Sequence, residues 1–141
     1  MRVYEHSSLC IDFIKEHDYF LVKRIVTNIT KENEYKEAIN NWRIACEKYK
    51  PTKHLVDYSE YSFSITPEFQ QYLDNHLMKP LYKAGLKKIA FLLSHDLFAQ
   101  LSIEETMQKE TGKMFEISYF DDFEEAKKWL LATSSNNLFT V

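Results

Sequence analysis

From residue 30 onward the chain alternates between helical and strand periodicities, and that alternation limits its fold more than any other feature. Tyr35, Ala38, Ile39, Trp42, Ala45, Cys46 and Tyr49 recur at three and four residues, the spacing of an amphipathic helix. Thr30 is a suitable N-cap for it, and Pro51 closes it. Leu55-Val56-Asp57-Tyr58 reads as a short strand. Thr66-Pro67 opens a second helix, with proline at the first helical position, where its missing N–H costs nothing. Phe69, Tyr72, Leu73, His76 and Leu77 form its expected buried stripe, and Pro80 is expected to end or kink it. Lys88 to Leu93 is an apolar run typical of a central strand. A helix from Asp96 carries Leu97, Phe98, Leu101 and Met107 and stops near Gly112. Phe115, Ile117 and Tyr119 alternate as the last strand. Asp122-Phe123-Glu124-Glu125 has the form of a capping box, followed by Phe123, Ala126, Trp129 and Leu130 on one helix face.

The first quarter reads as strand. Leu9, Ile11 and Phe13 alternate with polar positions, and Tyr19 to Val26 follows a Lys-Glu-His-Asp turn, which suggests an antiparallel hairpin. Val3-Tyr4 is a candidate edge strand before it. The expected architecture is a single α/β domain over residues 1–132. Its mixed sheet is mostly parallel with an N-terminal antiparallel hairpin, and about four helices pack on it. The polar stretch 133–141 is expected to be a flexible tail.

Composition removes several functions. Two glycines, where average usage predicts about ten, leave no glycine-rich phosphate cradle: Gly85 and Gly112 are too far apart, and Gly112-Lys113 lacks the rest of a P-loop. Eighteen basic against twenty-one acidic residues give a net charge of -3, so no nucleic-acid partner is expected. Cys10 and Cys46 are neither a disulfide framework nor a C-x-x-C element, and both read as small buried side chains. The five histidines show no metal-ligand spacing, so neither a metal nor any other cofactor is expected. The N-terminal residues lack an apolar signal region, and Ile89 to Leu93 is far shorter than the roughly twenty residues of a membrane span. The expectation is a cytoplasmic protein that does not span a membrane.

In an open α/β sheet, ligands collect at the carboxyl ends of the strands, where helix N-termini also point. On this reading that edge holds Thr27, Asn28 and Thr30, then Ser59 to Thr66, then Ser94, His95 and Asp96, then Asp121 and Asp122. Thr30, Thr66, Asp96 and Asp122 also read simply as helix caps. Ser94-His95-Asp96 is not a triad, because adjacent side chains diverge where a triad needs convergence from separated segments. Tyr58, Tyr61, Phe63 and Phe69 crowd one strand-to-helix connection. They are either core and rim packing or an aromatic-lined binding surface.

His54-Leu55-Val56-Asp57-Tyr58-Ser59 through Ser64-Ile65-Thr66-Pro67 resembles the STAS superfamily, the sulphate-transporter and anti-sigma-factor-antagonist domains. The stand-alone SpoIIAA-like bacterial members are the nearest in character. Val26-Thr27 before Tyr35-Lys36-Glu37, Ala84 to Ala90, Asp96-Leu97-Phe98-Ala99 and Phe120 to Leu130 extend the likeness over about residues 9–131. The resemblance implies a mixed sheet, no catalytic activity, and a role as a protein-binding switch or a nucleotide or lipid binder. It also implies a phospho-acceptor at Thr66. This chain has Ile65 where the antagonists carry an acidic residue, and Glu68 would repel a phosphate beside it, so capping and phosphorylation both stay open for Thr66.

Three functions follow as expectations. The first is a non-catalytic binding module engaging a protein partner through Asn28, Tyr58, Ser59, Tyr61, Phe63, Ser64, Thr66, His95 and Asp96. The second is a carrier or sensor of a small apolar or lipid-like ligand in an aromatic-lined pocket. The third is a small hydrolase using His95, Asp96 and a hydroxyl of the 59–66 loop. An exposed hairpin edge would also allow a homodimer.

Overall fold

The computed structural model describes residues 1–6, 8–24, 32–59, 67–95 and 114–132. Strands β1 (Arg2–His6), β2 (Leu9–Ile14) and β3 (Tyr19–Arg24) form an antiparallel meander. Between β2 and β3 the expected turn is a 3-10 turn at Lys15–His17, closed by Asp18 in the left-handed region at φ 55°. The Asp18 carboxylate accepts from the Thr52 hydroxyl at 2.6 Å, which ties the hairpin turn to the start of the next strand.

Helix α1 (Glu32–Tyr49) follows, and its predicted stripe is the one that buries: Tyr35, Ala38, Ile39, Trp42, Ala45 and Cys46 are all under a tenth exposed. Lys50, at φ 50°, turns the chain out of the helix while its N–H still donates to the Cys46 carbonyl, and Pro51 prevents any continuation. β4 (Lys53–Asp57) then runs parallel to β3, starting two residues earlier than its apolar pattern suggests and ending before Tyr58.

The second helical stretch departs from expectation. α2 (Pro67–Leu73) passes through a π-helical turn at Asp74–Met78 into α3 (Lys79–Lys83), so Pro80 does not end it. Proline lacks the N–H for a bond back along the helix and crowds the preceding turn; one wide turn just before it relieves both. The added residue also shifts the phase. Leu73, Leu77 and Leu81 face inward at a regular spacing of four, whereas His76, expected inside, is exposed and packs on the Tyr72 ring at 4.2 Å. Gly85, at φ 109°, closes α3: its N–H donates to the Tyr82 carbonyl and that of Leu86 to Leu81. Only glycine adopts this left-handed backbone without strain, and Leu86 thereby tucks into the core.

β5 (Lys88–Leu92) and β6 (Glu116–Phe120) extend the parallel part, and α4 (Phe123–Leu131) ends the described chain. The Asp122 carboxylate caps α4 by accepting from the Glu125 N–H at 2.9 Å. Ala126 and Leu130 are buried, but Phe123, expected on the same face, is exposed. The predicted helix at residues 96–112 and the tail at 133–141 lie outside the described residues.

The fold is therefore α/β, with a six-stranded mixed sheet in the sequential order β1-β2-β3-β4-β5-β6. Strand alternation divides the core in two. Leu9, Ile11, Phe20, Val22, Val56 and Ile89 meet α1, α2 and α3 on one face. Leu55, Ala90 and Leu92 meet Ala126 and Leu130 of α4 on the other. A sheet buried on both faces explains why β5 reads as a continuous apolar run rather than an alternating one. β1 is an outer strand, and Arg2 on it pairs with Asp12 at 2.6 Å and Glu5 at 3.4 Å.

Candidate functional site

The parallel register sets Lys23, Asp57, Leu92 and Phe120 in one row across β3 to β6, so the carboxyl ends of these strands are level. Two more hydrogen bonds carry the ladder one residue further: Tyr58 N–H to the Leu92 carbonyl and Leu93 N–H to the Phe120 carbonyl, both 2.8 Å. Past that row the chain leaves the sheet, and the polar side chains gather there. The Asp57 carboxylate accepts from the Ser59 N–H at 2.9 Å and its hydroxyl at 2.6 Å, a turn that ordinary Asx chemistry explains. His95 Nδ1 meets the Asp121 carboxylate at 2.8 Å, with the His95 side chain 85% exposed.

Of the residues expected at this edge, Tyr58, Ser59 and His95 are placed on neighbouring strand ends. The carboxylate that meets His95 is Asp121, from the end of β6, which the sequence placed at the same edge without pairing it with His95. Asn28, Tyr61, Phe63, Ser64, Thr66 and Asp96 lie outside the described residues. A surface pair such as His95–Asp121 contributes about 0–1 kcal/mol to stability.

Tyr58 is half-buried. Its ring stacks on Phe91 at 5.6 Å, and Phe91 stacks on Tyr119 at 5.3 Å, a row of three aromatic rings over the ends of β4, β5 and β6. Burial raises the Tyr58 phenol above its ordinary range and Tyr35 adds to the rise, whereas Arg24 opposes it.

Arg24 is the residue that the sequence reading missed. It ends β3 on the same face as Phe20 and Val22, is 1% exposed, and its Nε, Nη1 and Nη2 have no hydrogen-bond partner among the described residues. Its guanidinium carbon lies 4.9 Å from the Tyr35 ring centroid and 5.7 Å from that of Trp42. Two such contacts stabilise a desolvated cation by about 1–2 kcal/mol each, less than the several kcal/mol that burying an ion costs. The alternation Phe20, Val22, Arg24 was the available signal, because it puts a charge on an apolar face.

Other buried titratable groups are accounted for. His54 is fully buried between Trp42, whose indole N–H donates to its Nε2 at 3.0 Å, and the Lys53 carbonyl, 3.1 Å from its Nδ1. Trp can only donate, so the imidazole proton sits on Nδ1 and the ring is neutral. Burial lowers its pKa to about 4. Burial, with help from Glu47, pushes the Cys46 thiol up to about 12, so it is no nucleophile. Cys10 and Cys46 are both free, and Cys10 is only half-buried. Among the described residues no group of three His, Cys, Asp or Glu side chains could hold a metal ion, and no helix is long and apolar enough to cross a membrane.

No family model, curated protein or solved structure matches the chain.

Proposed function

We propose that the chain is a non-catalytic binding module of the STAS kind, working in the bacterial cytoplasm and engaging a protein partner through the carboxyl edge of its sheet. The observation that carries this reading is the placement of Ser59 and His95, both exposed, on neighbouring strand ends in register, with Asp121 fixing the imidazole. An exposed edge built from turns on a rigid sheet suits recognition, because the turns can vary while the strands hold them in place. Capture from a cell extract tests it. The wild-type chain should retain a partner that Ser59→Arg and His95→Ala lose, while His76→Ala, at an exposed site on another element, keeps it. Recovery of no partner, or capture indifferent to both edge variants, contradicts the reading.

A second reading has its own support in the aromatic row Tyr58–Phe91–Tyr119 beside Arg24: a carrier of a small apolar or lipid-like molecule. Native mass spectrometry of protein taken directly from cells should then show a co-purifying small molecule, and a clean apo mass argues against it. The homodimer is a weaker expectation, since Arg2 and Glu5 put charge on the outer strand β1, and such charges oppose edge-to-edge pairing. Sedimentation decides it.

A further inference from the structure

Arg24 closes β3, and its guanidinium packs against the rings of Tyr35 and Trp42 on α1. All three of its nitrogens lack a partner among the described residues although the side chain is 1% exposed. Natural proteins seldom leave a buried guanidinium without an acceptor, because every unmade hydrogen bond forfeits what water would have given. Tyr35 and Trp42 offer ring faces, which attract the charge but supply no oxygen acceptor for its N–H groups.

We propose that Arg24 is the anchor for the carboxylate of a small organic acid, whose apolar body lies against the aromatic residues at this edge. The planar fork of the guanidinium matches a carboxylate through two parallel hydrogen bonds. Charge selects the same class. Arg24 supplies one positive charge, which a monocarboxylate neutralises, whereas a phosphate dianion would leave a net negative charge in a desolvated site. The surroundings favour an apolar body, since the guanidinium packs on the rings of Tyr35 and Trp42, and Tyr58, stacked on Phe91, lies close enough for its phenol to feel the charge. The assignment rests on the ligand reading above and is independent of the partner reading.

Calorimetric titration of the full chain with octanoate, benzoate, inorganic phosphate and neutral octanol tests it, alongside Arg24→Met and Arg24→Lys. Octanoate or benzoate should bind the wild type saturably and weaken about 10- to 100-fold in Arg24→Met, the loss expected for charged hydrogen bonds. Arg24→Lys, which keeps the charge without the fork, should fall between them and covers the case in which the methionine variant does not fold. The Arg24 Nε–H resonance of the wild type should move on saturation. Carboxylate binding that Arg24→Met or Arg24→Lys leaves unchanged overturns the proposal, as does binding by none of the anions. Tighter binding of phosphate than of octanoate overturns the carboxylate class. Octanol binding equally to wild type and Arg24→Met, with no preference for octanoate, overturns the role of Arg24 while leaving the carrier reading standing.

Discussion

The two ends of the sheet each bury a cation against aromatic rings, and they treat it in opposite ways. At the amino end, Lys88 opens β5 and is 7% exposed; its ammonium lies 4.4 Å from the Trp129 ring centroid. It donates to the Trp129 carbonyl at 2.7 Å and to that of Ala132 at 3.2 Å, so it adds a donor to the carbonyls where α4 ends and sits at the negative end of that helix. At the carboxyl end, Arg24 has the rings but no acceptor among the described residues. The comparison separates two uses of a buried charge. Lys88 holds a helix to a strand, and its chemistry is complete within the chain. Arg24 finds no acceptor among the described residues, which makes it the better candidate for recognition.

Between these ends, His54 is buried by a third device, neutrality, and it should give the largest effect. Its pKa is about 4 in the folded chain and 6.5 when unfolded. Unfolding therefore takes up a proton between those values: the contribution is full above pH 6.5 and is lost as pH falls towards 4. The loss amounts to about 3 kcal/mol. Denaturant unfolding across that range should show it, and His54→Phe should flatten it; an unchanged slope in the variant would assign the acid sensitivity elsewhere.

Lys88→Met sharpens the contrast at the amino end. Removing the ammonium takes a charged donor from the Trp129 and Ala132 carbonyls, and stability should fall by about 1–3 kcal/mol, with early loss of hydrogen-exchange protection in α4. Arg24→Met should behave differently in ligand-free protein. Replacing a buried cation that has no acceptor among the described residues by an apolar side chain of similar length should leave stability unchanged or raise it by about 1 kcal/mol. If both variants destabilise equally, the distinction between the two ends fails. The smallest effect belongs to the exposed pair at the carboxyl edge: Asp121→Asn should change stability by less than about 1 kcal/mol, measured in the same denaturant series.

Much of this architecture is legible in the sequence, because burial on one face leaves a period. The stripe of α1, the run of β5 and the cap at Asp122 all follow from local spacing, and the structure places them as read. The course of the chain through Pro80 does not follow, because a π-helical turn is a local answer to steric crowding that leaves the apolar pattern only one residue out of phase. That Asp121 belongs to the same edge as His95 follows from the strand order, but their pairing does not: the two stand 26 residues apart and meet only once β5 and β6 pair in register. Arg24 lies between these cases. Its place on an apolar face could be read from Phe20 and Val22, but that its nitrogens lack acceptors among the described residues is a property of the fold.

The central claim is that Arg24 awaits an anion rather than completing the core, and thermal unfolding of wild type and Arg24→Met, each with and without saturating octanoate, tests it most directly. The account predicts a reversal of order: the variant at or above wild type without octanoate, and below it when octanoate is present. A variant that melts below wild type by the same margin in both conditions would contradict it.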